Sequence, residues 1–130
     1  MNRVEEMRIL IIIGTGGFIG SISRYLLSQF MQRIFETTFP IGTLVVNILG
    51  SFFIGIIYGL SEKGGILSPE WRLFLAVGIC GGFTTFSSFA YENLNMLGLQ
   101  QYLFLTLYVG ASLMLGLLAV YLGNLSIRMI

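Results

Sequence analysis

The apolar residues of this chain come in long unbroken blocks, and the charges stand between the blocks instead of within them. Residues 39–60 give 22 uncharged positions, 73–91 give 19 and 93–127 give 35. A helix needs roughly 20 residues to cross about 30 Å of hydrocarbon, so each block is long enough to span a membrane. The first block is shorter: residues 9–23 supply 15 positions before Arg24 interrupts. It crosses only with Arg24 inside the span or reaching along its own stem toward the interface. The pattern therefore predicts four membrane helices, at about 7–31, 39–60, 72–93 and 101–125, in a single domain covering 1–130. Pro40 suits the first turn of the second helix, where its missing N–H costs nothing. Gly64, Gly65 and Pro69 mark the loop between the second and third helices.

Composition agrees with an integral membrane protein. Of 130 residues 55% are hydrophobic and 10% charged, and the mean hydropathy is +0.88, where a soluble domain carries about a quarter charged residues. The connecting loops are too short for a soluble catalytic domain. A net charge of +1 offers nothing to nucleic acid, the lone Cys80 cannot form an intrachain disulfide, and the chain has no histidine. Glu5 and Glu6 dilute the basic N-terminal residues and glycines interrupt the apolar run, so the first block is expected to remain as a helix and not to act as a cleaved signal. With four spans, Arg3, Arg8, Lys63, Arg72 and Arg128 share one side, against Arg33 and, if counted there, Arg24. Taken alone, that bias favours both termini in the cytoplasm.

Small and polar residues recur at intervals of four, which stacks them on one helix face. The rows are Gly16, Gly20, Arg24, Ser28 in the first helix; Thr43, Asn47, Ser51, Gly55, Gly59 in the second; and Tyr108, Ser112, Gly116 in the fourth. Such rows mark close helix contacts in lipid, whereas an intramembrane Arg24 or Asn47 is expensive and points to function. The middle of the third helix departs from this pattern: Gly78, Gly81 and Gly82 are followed by the hydroxyls of Thr84, Thr85, Ser87 and Ser88. One reading is a helix whose hydroxyls bond its own backbone; the other is a break near the bilayer midplane. A break there must be buried in protein or line a wet cavity, where carbonyls can coordinate a cation and hydroxyls can donate to an anion. Phe86 and Phe89 neighbour each other just beyond the run. They are either lipid-facing or core residues, or rings whose positive edges attract a dehydrated anion. No acidic residue lies inside the expected spans, and Glu92 stands at the end of the third. The carboxylate and histidine relay of a proton-coupled transporter is missing, as is any nucleophile and base pair of an enzyme.

Three boxes then resemble one family, the small bacterial fluoride channels called Fluc or CrcB. They are Gly16-Gly17-x-x-Gly20-x-x-x-Arg24-Tyr25; Phe39-Pro40-x-Gly42-Thr43-Leu44-x-Val46-Asn47-x-x-Gly50-Ser51-Phe52-x-x-Gly55; and Gly81-Gly82-Phe83-Thr84-Thr85-Phe86-Ser87-Ser88-Phe89. Ser21 stands where the first box usually has alanine, and in the fourth helix only Tyr108 and Ser112 match. The resemblance implies an all-α, four-helix subunit with helix three broken near the midplane, assembled as an antiparallel, dual-topology homodimer in lipid. It implies a multi-pass protein of the bacterial inner (plasma) membrane that passively exports cytoplasmic fluoride. By the same resemblance Asn47, Thr85, Phe86, Ser87, Phe89, Tyr108 and Ser112 line the fluoride pathway, and Arg24 and Glu92 belong to its vestibule. The carbonyls of Gly81 and Thr84 are implied to hold a structural sodium that is not transported. Dual insertion sits uneasily with the Lys and Arg bias. Two other readings of the residues stay open: a small proton-coupled multidrug exchanger of the same size, and a non-transporting structural subunit built on the glycine rows.

Overall fold

A computed structural model describes residues 2–130, all helix and connection. Helix α1 runs Arg3–Phe35, α2 Ile41–Glu62, α3 residues 69–83, α4 Phe86–Gly98 and α5 Tyr102–Arg128. Four segments are long and apolar enough to cross a membrane: α1, α2, Pro69–Gly98 (α3 and α4 together) and α5. The chain is a multi-pass membrane protein.

Helix α1 and the third span outrun the uncharged blocks, and polar residues stand at their ends. In α1 the Glu5 carboxylate accepts from the Asn2 N–H at 3.1 Å, Glu5 and Glu6 lie at the positive end of the helix, and Arg33 lies at the negative end. Glu36 ends it in the left-handed conformation, φ 42°. Pro40 stands one position ahead of α2, at its cap, and Ser68 caps α3 by accepting from the Trp71 N–H at 3.3 Å. The loop between them turns through Gly64 and Gly65, both at positive φ, which only glycine adopts without strain.

The third span is not one helix. Residues Leu73–Cys80 are wound as a π-helix, Gly81–Phe83 return to α, and then Thr84 and Thr85 are extended (φ −81°, ψ 157° and φ −149°, ψ 123°). The expected break is thus present, but it falls on the hydroxyl residues and the glycines before it remain helical. Those glycines bring backbones together instead. A methyl group on Gly78 would stand 2.9 Å from the Gly16 Cα, and one on Gly82 would stand 2.6 Å from the Gly17 carbonyl oxygen. The Gly16/Gly20 row is therefore the seam between α1 and α3, with Gly20 against the Ile79 carbonyl. Gly55 and Gly123 do the same for α2 and α5, the most extensive helix pair, against the Val120 and Phe52 carbonyls.

Little large apolar core is left. One buried cluster holds Leu44, Met96 and Tyr108 with Phe39 and Phe89 packed against it; a second holds Ile57, Ala76 and Cys80. Most large apolar side chains of α1 and α5 face outward, as a lipid-facing surface requires.

Candidate functional site

The break between α3 and α4 leaves backbone groups without helical partners at membrane depth, and the surrounding residues are organised around satisfying them. The Thr85 N–H, which an unbroken helix would give to the Gly81 carbonyl, is taken by Asn47 Oδ1 at 2.8 Å. The Thr85 carbonyl accepts from Asn47 Nδ2 at 2.9 Å. Asn47 of α2 therefore clamps both polar groups of one extended residue, which leaves a single N–H of its amide uncommitted. Thr84 turns back on α3, its N–H and hydroxyl both donating to the Cys80 carbonyl at 2.9 Å. The Thr84 carbonyl lies 3.5 Å from Nη1 of Arg24, which reaches in from α1.

Thr85 also starts α4. Its Oγ1 accepts from the Ser88 N–H at 3.2 Å and donates to the Ser88 hydroxyl at 3.1 Å, a cap worth about 1 kcal/mol. The Ser87 hydroxyl meets it at 3.3 Å, from an exposed position. The break thus sets the carbonyl end of α3 beside the N–H end of α4, one partly negative and the other partly positive. Oxygens at the first suit a hard cation, and donors at the second suit an anion.

A cavity of about 400 Å³ opens on this junction, lined by Asn47, Ser51, Gly81, Thr84, Thr85, Phe86, Phe89 and Ser112. Seven of the residues that the resemblance assigned to the pathway or the cation thus come together, and Ser51 of the second-helix row joins them. The Phe86 and Phe89 rings lie 5.7 Å apart, tilted by 42°. Phe89 packs inward on Tyr108, at 5.1 Å, whereas Phe86 is 79% exposed on the open side of the cavity.

Tyr108 and Glu92 stand apart from that cavity and form a second polar site. Tyr108 is fully buried, and its hydroxyl donates to Glu92 Oε2 at 2.6 Å; the buried Thr43 hydroxyl donates to Glu92 Oε1, also at 2.6 Å. The third span runs on past the expected end near residue 93: α4 continues to Gly98, so Glu92 lies within the helix, six residues before its last. Arg24 and Glu92, paired above as one vestibule, contact different things: the break and the hydroxyl pair. Thr43 had escaped notice as a ligand of Glu92, although its place four residues before Asn47 put it on the same face of α2.

The fold and site define a class: a small four-span membrane protein whose third span is broken at a polar, ring-flanked cavity, the arrangement of ion pathways and not of enzymes. Residues 11–124 match the family described as CrcB-like protein, Camphor Resistance (CrcB), and the chain belongs to that family. It is 46% identical over 120 residues to Fluoride-specific ion channel FluC 1 of Methanosarcina acetivorans, covering 92% of this chain and 91% of the relative. It is 44% identical to Fluoride-specific ion channel FluC of Chlorobium chlorochromatii (96% of each chain), and 42% identical to that of Flavobacterium psychrophilum (90% and 94%).

Proposed function

We propose that this protein is a passive fluoride-selective channel that exports cytoplasmic fluoride and so protects the cell from it. The observation that carries the reading is the single cavity in which a broken helix, a phenylalanine pair and hydroxyl and amide donors meet, in a chain so similar to relatives named as fluoride channels. Fluoride enters cells as neutral HF, dissociates at cytoplasmic pH and is trapped as an anion. A leak suffices to release it, and a chain of 130 residues needs no coupling machinery. A small hard anion must exchange its hydration for donors that hold it weakly enough to leave. The first turn of α4, the remaining Asn47 N–H, the hydroxyls of Thr85 and Ser112 and the edges of Phe86 and Phe89 are such donors.

The cavity is open on the side where Phe86 is exposed, so the pathway needs a second wall. The occupant we assign is another copy of this chain, inverted in the membrane, which brings its own Phe86 and Phe89 to the same midplane. Gly81 and Thr84 both line the cavity, and backbone carbonyls are the donor type that a small hard cation takes. Two oxygens leave a coordination shell incomplete, and the second copy adds its own pair around a structural sodium. Arg24 at the Thr84 carbonyl adds positive charge beside the junction and draws anions toward it.

Glu92, engaged by the Thr43 and Tyr108 hydroxyls, is a carboxylate that the exchanger reading could recruit. Both carboxylate oxygens are already engaged by hydroxyls, however, so the group acts as a fixed acceptor more readily than as a cycling proton carrier. Purified protein in liposomes loaded with fluoride or chloride, followed with selective electrodes after a potassium ionophore is added, decides the matter. Fast fluoride release without chloride release is expected. Folded protein that releases neither ion refutes the channel, and proton-driven efflux of a cationic drug would install the exchanger in its place.

A further inference from the structure

The corner between α1 and α2 lies away from the cavity, yet its contacts converge on Glu92. Gln32, in the last turn of α1, donates through Nε2 to the carbonyls of Thr37 and Phe39, the latter at 3.2 Å. Its Oε1 accepts from the Gly42 N–H at 3.5 Å. Helix α2 has no side-chain cap of its own, so the Gln32 oxygen serves a first-turn N–H that would otherwise be orphaned. Phe39 is held from its other side as well, its N–H donating to Thr37 Oγ1 at 3.1 Å and its carbonyl accepting from the Ile41 N–H at 2.7 Å.

Both structures that Gln32 fixes carry a hydroxyl donor of Glu92. The Phe39 ring stands edge-on to Tyr108, with centroids 5.5 Å apart and planes at 81°, so it forms one wall of the slot that buries Tyr108; Phe89 forms another at 5.1 Å. Gly42 precedes Thr43 directly and is wedged against the Ser28 backbone, where a methyl group would stand 3.0 Å from the carbonyl carbon. The position of the Thr43 hydroxyl therefore follows from how the first turn of α2 is seated.

We propose that Gln32 is a positioning residue for permeation: through Phe39 and Gly42 it sets the Tyr108 and Thr43 hydroxyls on the Glu92 carboxylate. The proposal rests on the channel reading. Glu92 stands apart from the cavity, but Phe89 lines it and packs on Tyr108 at 5.1 Å, so the 2.6 Å bond from Tyr108 to the carboxylate fixes the face against which a cavity ring is held. When the corner loosens, the bonds lengthen and Phe89 loses the fixed Tyr108 face on which it leans.

The test compares wild type with Gln32→Ala in fluoride-loaded liposomes and in infrared difference spectra, the Glu92 carboxylate stretch being assigned by subtraction of Glu92→Gln. The expected result is fluoride efflux slower by about 2- to 30-fold, the range typical of residues that act through others. The Glu92 band is expected to shift as its hydrogen bonds lengthen, with a modest fall in melting temperature from the unpartnered Gly42 N–H. Should Gln32→Ala fail to fold, Gln32→Met keeps the side-chain stem without its donors and is read in the same two ways. Wild-type efflux or an unmoved Glu92 band in a folded variant overturns the proposal. Silence from wild-type protein in the same liposomes would instead defeat the channel reading, while the band still reports on the corner.

Discussion

Replacing Asn47 by leucine separates two roles that an amide at the junction can play, holding the break together or touching the ion. The side chain is about the same size, so packing is kept and the two hydrogen bonds to Thr85, at 2.8 and 2.9 Å, are lost. Interhelical hydrogen bonds in membranes average about 0.6 kcal/mol each, so the pair sets a floor near 1 kcal/mol. If the Thr85 N–H and carbonyl find no substitute partners, each buried orphan costs about 1–3 kcal/mol, which puts the ceiling near 6 kcal/mol. The expected outcome is an unfolding free energy lowered within that range, together with loss of fluoride efflux, because α4 is no longer fixed at its first residue. Asn47→Asp should fall between, since it keeps an acceptor for the Thr85 N–H and turns a second oxygen against the Thr85 carbonyl. Reversible unfolding in mixed micelles, paired with liposome efflux, makes the measurement. An Asn47→Leu protein within about 0.5 kcal/mol of wild type, the scatter of neutral substitutions, yet silent in efflux would show that the amide serves the ion and not the backbone.

The remaining predictions concern the rings, the helix seams and the cation. Phe86→Ile and Phe89→Ile should each cut fluoride efflux while leaving the oligomer unchanged on gel filtration, and full efflux in both would remove the rings from the mechanism. Gly123→Ala presses a methyl group into the Phe52 carbonyl and should lower stability by about 1–3 kcal/mol, whereas the same change at Gly110, which faces open space, should cost far less. Exchanging sodium for a large organic cation should both stop fluoride efflux and lower the melting temperature. Sodium-independent efflux and melting would count against a cation at Gly81 and Thr84.

How much of this was legible in the sequence depends on how local each signal is. The spans followed from uncharged runs, and a close contact along Gly16 and Gly20 followed because a four-residue period is a property of one helix, although which helix it meets is not. The break was legible as a region but not as a position. Glycine lowers helix propensity, yet at Gly78 and Gly82 the absent side chain is used to admit the α1 backbone, and of the two extended residues Asn47 holds Thr85. The π winding of Leu73–Cys80 left no trace in an apolar stretch of ordinary composition. Charge ends a hydropathy block, so Glu92 reads as a block's edge although α4 runs six residues further, to Gly98. What fixes its carboxylate is a pair of hydroxyls 49 and 16 residues away in sequence, a distance no periodicity reports.

The open-sided cavity also bears on how the protein behaves at low abundance. A solitary subunit leaves this cavity, with Phe86 exposed at its mouth, open toward acyl chains. With another copy as the missing wall, the number of complete pathways scales with the square of subunit density when the membrane is dilute. Halving expression then removes up to three quarters of them.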